Sequence, residues 1–152
     1  MAIEYLDHPL RAHGVRSFNA EGSHQELADL GHLSNAIVIP ATASIVHTTG
    51  QVGKLNDGSI PSDVFEEYQL AFENVKIALE AAGVEEGWRA VYKVNYLSTG
   101  GVSEELASHY GNLVKQYCGS NRPAQTGYET TGIMWPGAHI ELTVEAVKVV
   151  PS

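Results

Sequence analysis

Residues 138–150, AHIELTVEAVKVV, alternate apolar and polar side chains with a period of two, and this pattern limits the fold more than any other stretch. In a strand, Ile140, Leu142, Val144 and Ala146 point one way, while His139, Glu141, Thr143 and Glu145 point the other. The apolar set needs a cover. The polar set must meet water, a partner subunit or a ligand.

Two stretches supply the cover. After Ser62 or Asp63, Val64, Tyr68, Ala71, Phe72, Val75, Ala78, Leu79 and Ala82 recur at helical spacing, and Gly83 stops the run. Ser103 caps a second helix with Leu106, Tyr110, Leu113, Val114 and Tyr117 on one face. Strands are expected at 43–49, 88–97, 124–131 and 138–150, with an Asn-Asp-Gly-Ser turn at 56–59. In the strand at 88–97, Trp88, Val91, Tyr92 and Tyr96 put bulky groups on both faces, which suggests that the open face is covered too. The element order predicts a single α+β domain over 33–152, a mixed sheet with both helices on one face. Residues 1–32 read as an irregular N-terminal extension, with Gly14, Gly22, Gly31 and four of the seven histidines.

Charge and cysteine content exclude several classes of function. A chain of 152 residues is long enough to bury one core without staples. Nine basic against eighteen acidic residues leave −9, with no basic cluster, so nucleic acid is not an expected partner: phosphate binding needs Lys and Arg. No apolar run approaches a membrane span and no secretory signal is legible near Glu4 and Asp7. The single Cys118 cannot form an internal disulfide, which suits a reducing cytoplasm, and with no basic neighbour it is expected to be inert. No two of the histidines have helix-ligand spacing, so neither a metal nor another cofactor is expected.

Several short motifs fall in a telling order. They are Gly31-His32-Leu33-Ser34-Asn35-Ala36-Ile37, Thr48-Thr49-Gly50-Gln51, Phe72-Glu73-Asn74-Val75 with Leu79-Glu80-Ala81-Ala82-Gly83, Val91-Tyr92-Lys93-Val94, Pro123-Ala124-Gln125-Thr126 and Glu145-Ala146-Val147. Together they resemble the YjgF/RidA family, also known as endoribonuclease L-PSP-like, over roughly residues 31 to 150. The resemblance implies a chorismate-mutase-like domain that assembles as a homotrimer with clefts between subunits. It also implies hydrolysis of reactive enamines and imines.

The residues that carry that chemistry in the family have changed here. Its carboxylate-binding arginine falls on Gln125, its water-positioning glutamate on Thr143 and its pocket-closing tyrosine on Leu33, while its backbone donors fall on Gly50 and Gly127. A guanidinium is a charged fork, whereas Gln offers a neutral amide. A charge-assisted hydrogen bond contributes ~1.5–3 kcal/mol against ~0.5–1.5 for a neutral one. Arg122, three positions before Gln125 in an extended segment, is expected on the opposite face and does not replace the fork.

The expected function is therefore a divergent small-molecule enzyme acting on a neutral carbonyl, imine or enol in an intersubunit cleft. Gln125, Thr143 and Tyr128 would orient the substrate, Gly50 and Gly127 amides would steady oxyanion charge, and Glu141 or His139 would move protons. A Glu141–His139 pair on one strand face would suit acid–base work, Trp135 beside Pro136-Gly137 would contact ligand or close a loop, and Glu145 is expected to be structural. The alternatives are a non-catalytic metabolite- or partner-binding protein and a conventional deaminase with a rearranged site.

Overall fold

The computed structural model describes residues 1–150. The N-terminal third is not the irregular lead-in that its glycines suggested. Strand β1 (Ala2–Tyr5), a 3-10 turn (Pro9–His13), β2 (Arg16–Ala20), helix α1 (Ser23–Gly31) and β3 (Ala36–Val38) follow one another, and the strands form an antiparallel sheet in the order β1-β2-β3. Because β3 pairs with β2, the chain on either side of residue 32 shares one sheet. Gly14 turns back with φ of 82°, a left-handed value that glycine adopts without Cβ strain. Leu10 and Val15, on either side of it, are 2% and 1% exposed and belong to the main core. Strands of three to five residues, in which β2 buries the polar Ser17 and Asn19, carry too little apolar periodicity to be read from sequence.

The remainder follows the expected order. Strands β4 (Ser44–His47) and β5 (Gln51–Val52) precede α2 (Val64–Ala81), β6 (Val91–Ser98), α3 (Glu104–Cys118), β7 (Ala124–Glu129) and β8 (Ile140–Lys148). The second sheet runs β4-β8-β6-β7, with β5 also paired to β8, and only the β6–β7 pair is parallel. This is the mixed α+β architecture, with α1 as a third helix. Of the two candidate caps for α2, Asp63 serves, accepting from the Phe65 amide at 2.9 Å, and Ser103 caps α3 by accepting from Leu106 at 3.1 Å.

The alternation in β8 places its residues as expected. Ile140, Leu142 and Ala146 are fully buried and Val144 is 1% exposed, against Tyr68, Phe72, Val75 and Leu79 of α2 and Leu113 and Val114 of α3 in one core. The start of β6 differs from expectation. Gly87–Ala90 form a 3-10 turn, so Trp88 precedes the strand and slides under α2, where its indole donates to the Phe72 carbonyl at 2.9 Å. A register shift between Val91 and Lys93 then resets the strand. Tyr96 goes under the helices, stacking on Tyr110 at 4.2 Å and sharing a 2.6 Å hydrogen bond with the Tyr68 hydroxyl. Lys93, Asn95 and Leu97 pair with Glu145, Thr143 and Glu141 and share their open face. Of the four bulky residues expected on both faces, only Tyr92 reaches the open one.

No helix among the described residues is long and apolar enough to cross a membrane.

Candidate functional site

The open face of the larger sheet gathers polar side chains in rows set by strand register. At one end Glu145 accepts from the Tyr92 hydroxyl at 2.5 Å and lies 3.3 Å from His47 Nδ1 and 3.5 Å from Lys93 Nζ. The Tyr92 hydrogen bond, helped by the Lys93 charge and by hydrogen bonds from Lys93 and His47, holds the Glu145 carboxyl below the usual carboxylate range. A depressed carboxylate stabilises the fold above its unfolded value, and that contribution is lost as pH falls through the folded one. Tyr92→Phe should therefore raise the folded-state value and shift acid unfolding to higher pH. A pH titration of circular dichroism reads this, and an unmoved acid limb would show that Tyr92 does not set it.

The next rows bring together three of the expected site residues. Thr143 pairs with Asn95, and Glu141 pairs with Val52 on one side and Leu97 on the other. The Gly50 turn is tied to β8 by Thr48, whose amide donates to the Val144 carbonyl at 3.0 Å and whose hydroxyl accepts from the Val144 amide at 3.1 Å. Glu141 lies close over this backbone: a Cβ on residue 50 would lie 1.9 Å from its carboxylate oxygen, so any side chain there would have to displace the carboxylate. Glu141 is half-buried against this backbone and has no hydrogen-bond or ion-pair partner among the described residues. Lys93 and Asn95 were missed as site residues because their face depends on the shift at the start of β6.

Leu33 and Gln125 come together in a separate hollow of about 650 Å³, bordered also by His24, Leu27, Lys93 and Thr126. Gln125 is hydrogen-bonded there to protein groups at both ends of its amide. Its Oε1 accepts from the Tyr110 hydroxyl at 2.9 Å, and its Nε2 donates to the carbonyls of Gly31 and His32 at 3.3 and 3.5 Å. Both ends of the amide are committed, joining α3 to the orphan carbonyls at the end of α1. Gln125 pairs with Val94 and so faces the helix layer. Arg122 does not enter the hollow; it pairs with Asp29 at 2.7 Å and stacks over Tyr5 at 4.6 Å. The cation that borders the hollow is Lys93, already offset by Glu145.

His139 does not pair with Glu141. Strand β8 begins at Ile140, so the alternation no longer governs residue 139. Its ring turns back to α2, with Nδ1 2.8 Å from Glu67 Oε2, while its amide donates to Glu67 Oε1 at 2.6 Å. Glu67, fully buried, was missed; the available signal was a carboxylate three residues after Val64 and four before Ala71, inside the apolar stripe. Gly127 lies against the Tyr96 ring, and Tyr128 is exposed beside it. Trp135 donates to the Gly58 carbonyl at 3.1 Å, with Lys54 over its ring at 5.0 Å, and so closes the loop after β5. Neither Tyr128 nor Trp135 borders the hollow at Gln125. Cys118 is buried, which pushes its thiol up to about 12 and fits an inert role.

The fold has solved counterparts. A Yersinia pestis protein of unknown function from the conserved Rid family, YyfB, superposes with a TM-score of 0.74 at 20% identity, over 88% of this chain and 98% of its own. Escherichia coli TdcF, solved with bound serine, gives 0.59 at 21% identity over 78% and 95% of the two chains. Mycobacterium tuberculosis Rv2704, of the YjgF/YER057c/UK114 family, gives 0.56 at 20% over 85% and 97%. No curated protein matches the chain. The model of the family described as Endoribonuclease L-PSP matches residues 23–148. Spanning both layers of the larger sheet and its helices, that match shows that the chain belongs to the endoribonuclease L-PSP family, the YjgF/RidA family that its motifs resemble.

Proposed function

We propose that this chain is a small-molecule enzyme acting on a neutral carbonyl, imine or enol substrate over the open sheet face, within a homotrimer whose neighbouring subunit completes the cleft. The observation that carries this reading is the Glu141 carboxylate, half-buried on the Gly50 backbone with no protein partner among the described residues. A carboxylate held away from bulk water and left without a counter-charge is suited to take a proton from a substrate carbon or from an attacking water. The Thr143 hydroxyl and the Asn95 amide, one row along, are placed to hydrogen-bond the substrate heteroatom on which charge develops. Gly50 contributes an approach that no side chain blocks.

A neutral substrate fits the charge on this face. Lys93 is paired with Glu145, Arg122 with Asp29, and Gln125 is spent on protein groups, so no unpaired cation among these waits for a substrate carboxylate. The net charge of −9 likewise disfavours RNA as the substrate.

Glu141→Gln should keep the fold and lower turnover by about 100-fold, the usual contribution of a positioned general base. Suitable assays are deuterium exchange beside the carbonyl of small ketones, and hydrolysis of short imines with and without a carboxylate. Wild-type turnover by the Gln variant would remove Glu141 from the mechanism. A strong preference for the carboxylate-bearing imines would restore conventional deamination.

A further inference from the structure

A second group of residues, away from the open sheet face, carries chemistry of its own. Glu67 is completely buried, yet both of its oxygens go to a single residue: Oε1 accepts from the His139 amide at 2.6 Å and Oε2 lies 2.8 Å from His139 Nδ1. A carboxylate there leaves Nδ1 as the protonated nitrogen and Nε2 as the basic one. The imidazole is not buried with its partner. Its side chain is 48% exposed, and Nε2 has no hydrogen-bond partner among the described residues. His139 borders a cavity of about 570 Å³, with Val64 and Leu106 as apolar walls and Thr99, Gly100 and Gly101 on its rim. The ring edge lies close to Gly100, where an added Cβ would sit 3.4 Å from His139 Cδ2. Being glycines, Gly100 and Gly101 line the cavity with backbone alone, and both hold left-handed φ values, 84° and 81°.

We infer that Glu67 and His139 form an acid–base dyad serving this cavity, and that the cavity takes a small neutral carbonyl compound with an acidic C–H beside the carbonyl. His139 is the catalytic residue and Glu67 the positioning residue. Nε2 takes the proton from the carbon, the C–H electron pair forms the C=C bond of an enolate, and the carbonyl π pair moves to oxygen. The Gly100–Gly101 backbone amides receive that oxygen, and Glu67 steadies the imidazolium. Return of the proton to carbon or to oxygen closes the cycle with no oxidant, reductant or co-reactant. The apolar walls match an uncharged substrate, and the bidentate grip on His139 holds one tautomer and one ring orientation.

Glu67→Gln is the informative variant because the amide can keep both contacts. Its oxygen accepts from the His139 amide while its NH2 donates to Nδ1, which moves the imidazole proton to Nε2 and removes the base. With the full chain and acetoacetamide in D2O, proton NMR should show exchange of the methylene protons faster than in buffer. Glu67→Gln and His139→Gln should each reduce that acceleration at least tenfold. Nitrogen-15 spectra of the wild type should show Nδ1 protonated, and those of Glu67→Gln should show Nε2 protonated, which ties any loss of exchange to loss of the basic nitrogen. The inference is overturned by absence of acceleration in the wild type, by either variant keeping the wild-type rate, or by a wild-type ring protonated at Nε2. Should Glu67→Gln fail to fold, His139→Gln in the exchange assay together with the wild-type nitrogen spectra keeps the inference open to refutation. The nitrogen spectra do not depend on Glu141, and repeating the exchange in a Glu141→Gln background, where the acceleration should persist, separates failure here from failure of the open-face mechanism.

Discussion

Trp88→Ala should destabilise the fold by about 3–5 kcal/mol, the range for removing a large aromatic from a close-packed core. The indole is 2% exposed and stacks on Phe72 with ring centroids 4.6 Å apart, tilted by 24°. Tyr117 packs on it from α3 at 6.2 Å, so one side chain fills the space where both helices meet the start of β6. Truncation opens a cavity there, and it also strips the Phe72 carbonyl of the indole hydrogen bond. Domains of this kind are stable by only about 5–15 kcal/mol, so the variant should melt far below the wild type or fail to accumulate folded. Urea unfolding followed by fluorescence and circular dichroism gives the number, and a loss under 1 kcal/mol would mean that the helices close over the gap.

Gly53→Ala should cost about 3 kcal/mol, at the upper end for an overpacked interior. A Cβ at residue 53 would lie 1.9 Å from the Glu67 carbonyl oxygen and 2.7 Å from its carbonyl carbon. These are backbone atoms of α2 and cannot swing aside, unlike the Glu141 carboxylate that faces Gly50. The turn after β5 must lift from the helix, pulling on the two bonds by which the Asn74 amide holds the Val52 and Lys54 carbonyls at 2.8 and 3.0 Å. Since the clash is with the residue that holds His139, the variant should disturb the His139 ring environment along with stability. Thermal melts and the His139 resonances test the two effects together. A wild-type melting temperature would show that α2 and the turn do not pack this closely.

The two predictions separate what periodicity reveals from what it hides. The apolar face of β8 and the apolar stripes of α2 and α3 were readable because burial repeats every second residue in a strand and every third or fourth in a helix. The caps at Asp63 and Ser103 were readable because a side-chain oxygen at a helix start satisfies a free amide. The small N-terminal sheet was not, since its strands are short and its hold on the core rests on Leu10 and Val15 in a turn. Gly50, Glu141 and Thr143 lie near one another, because the turn before β5 packs on the open side of β8. Gln125 and His139 did not meet them. Gln125 lies on a parallel edge strand whose register with β6 turns it toward α3, and His139 sits one residue outside the ladder that would have aligned it with Glu141.

Local patterning determined the fold class, helices α2 and α3, the buried face of the last strand and the family, since each follows from covalent periodicity or from short motifs in order. Tertiary packing alone decided which polar groups are free to act. Among the described residues Glu141 has no partner over Gly50, Gln125 is hydrogen-bonded between α1 and α3, and His139 is turned toward a carboxylate seventy-two residues away. The reason is that a polar atom taken from water must find a partner, and the partner is whatever the folded chain brings within three ångströms, which spacing along the sequence does not encode.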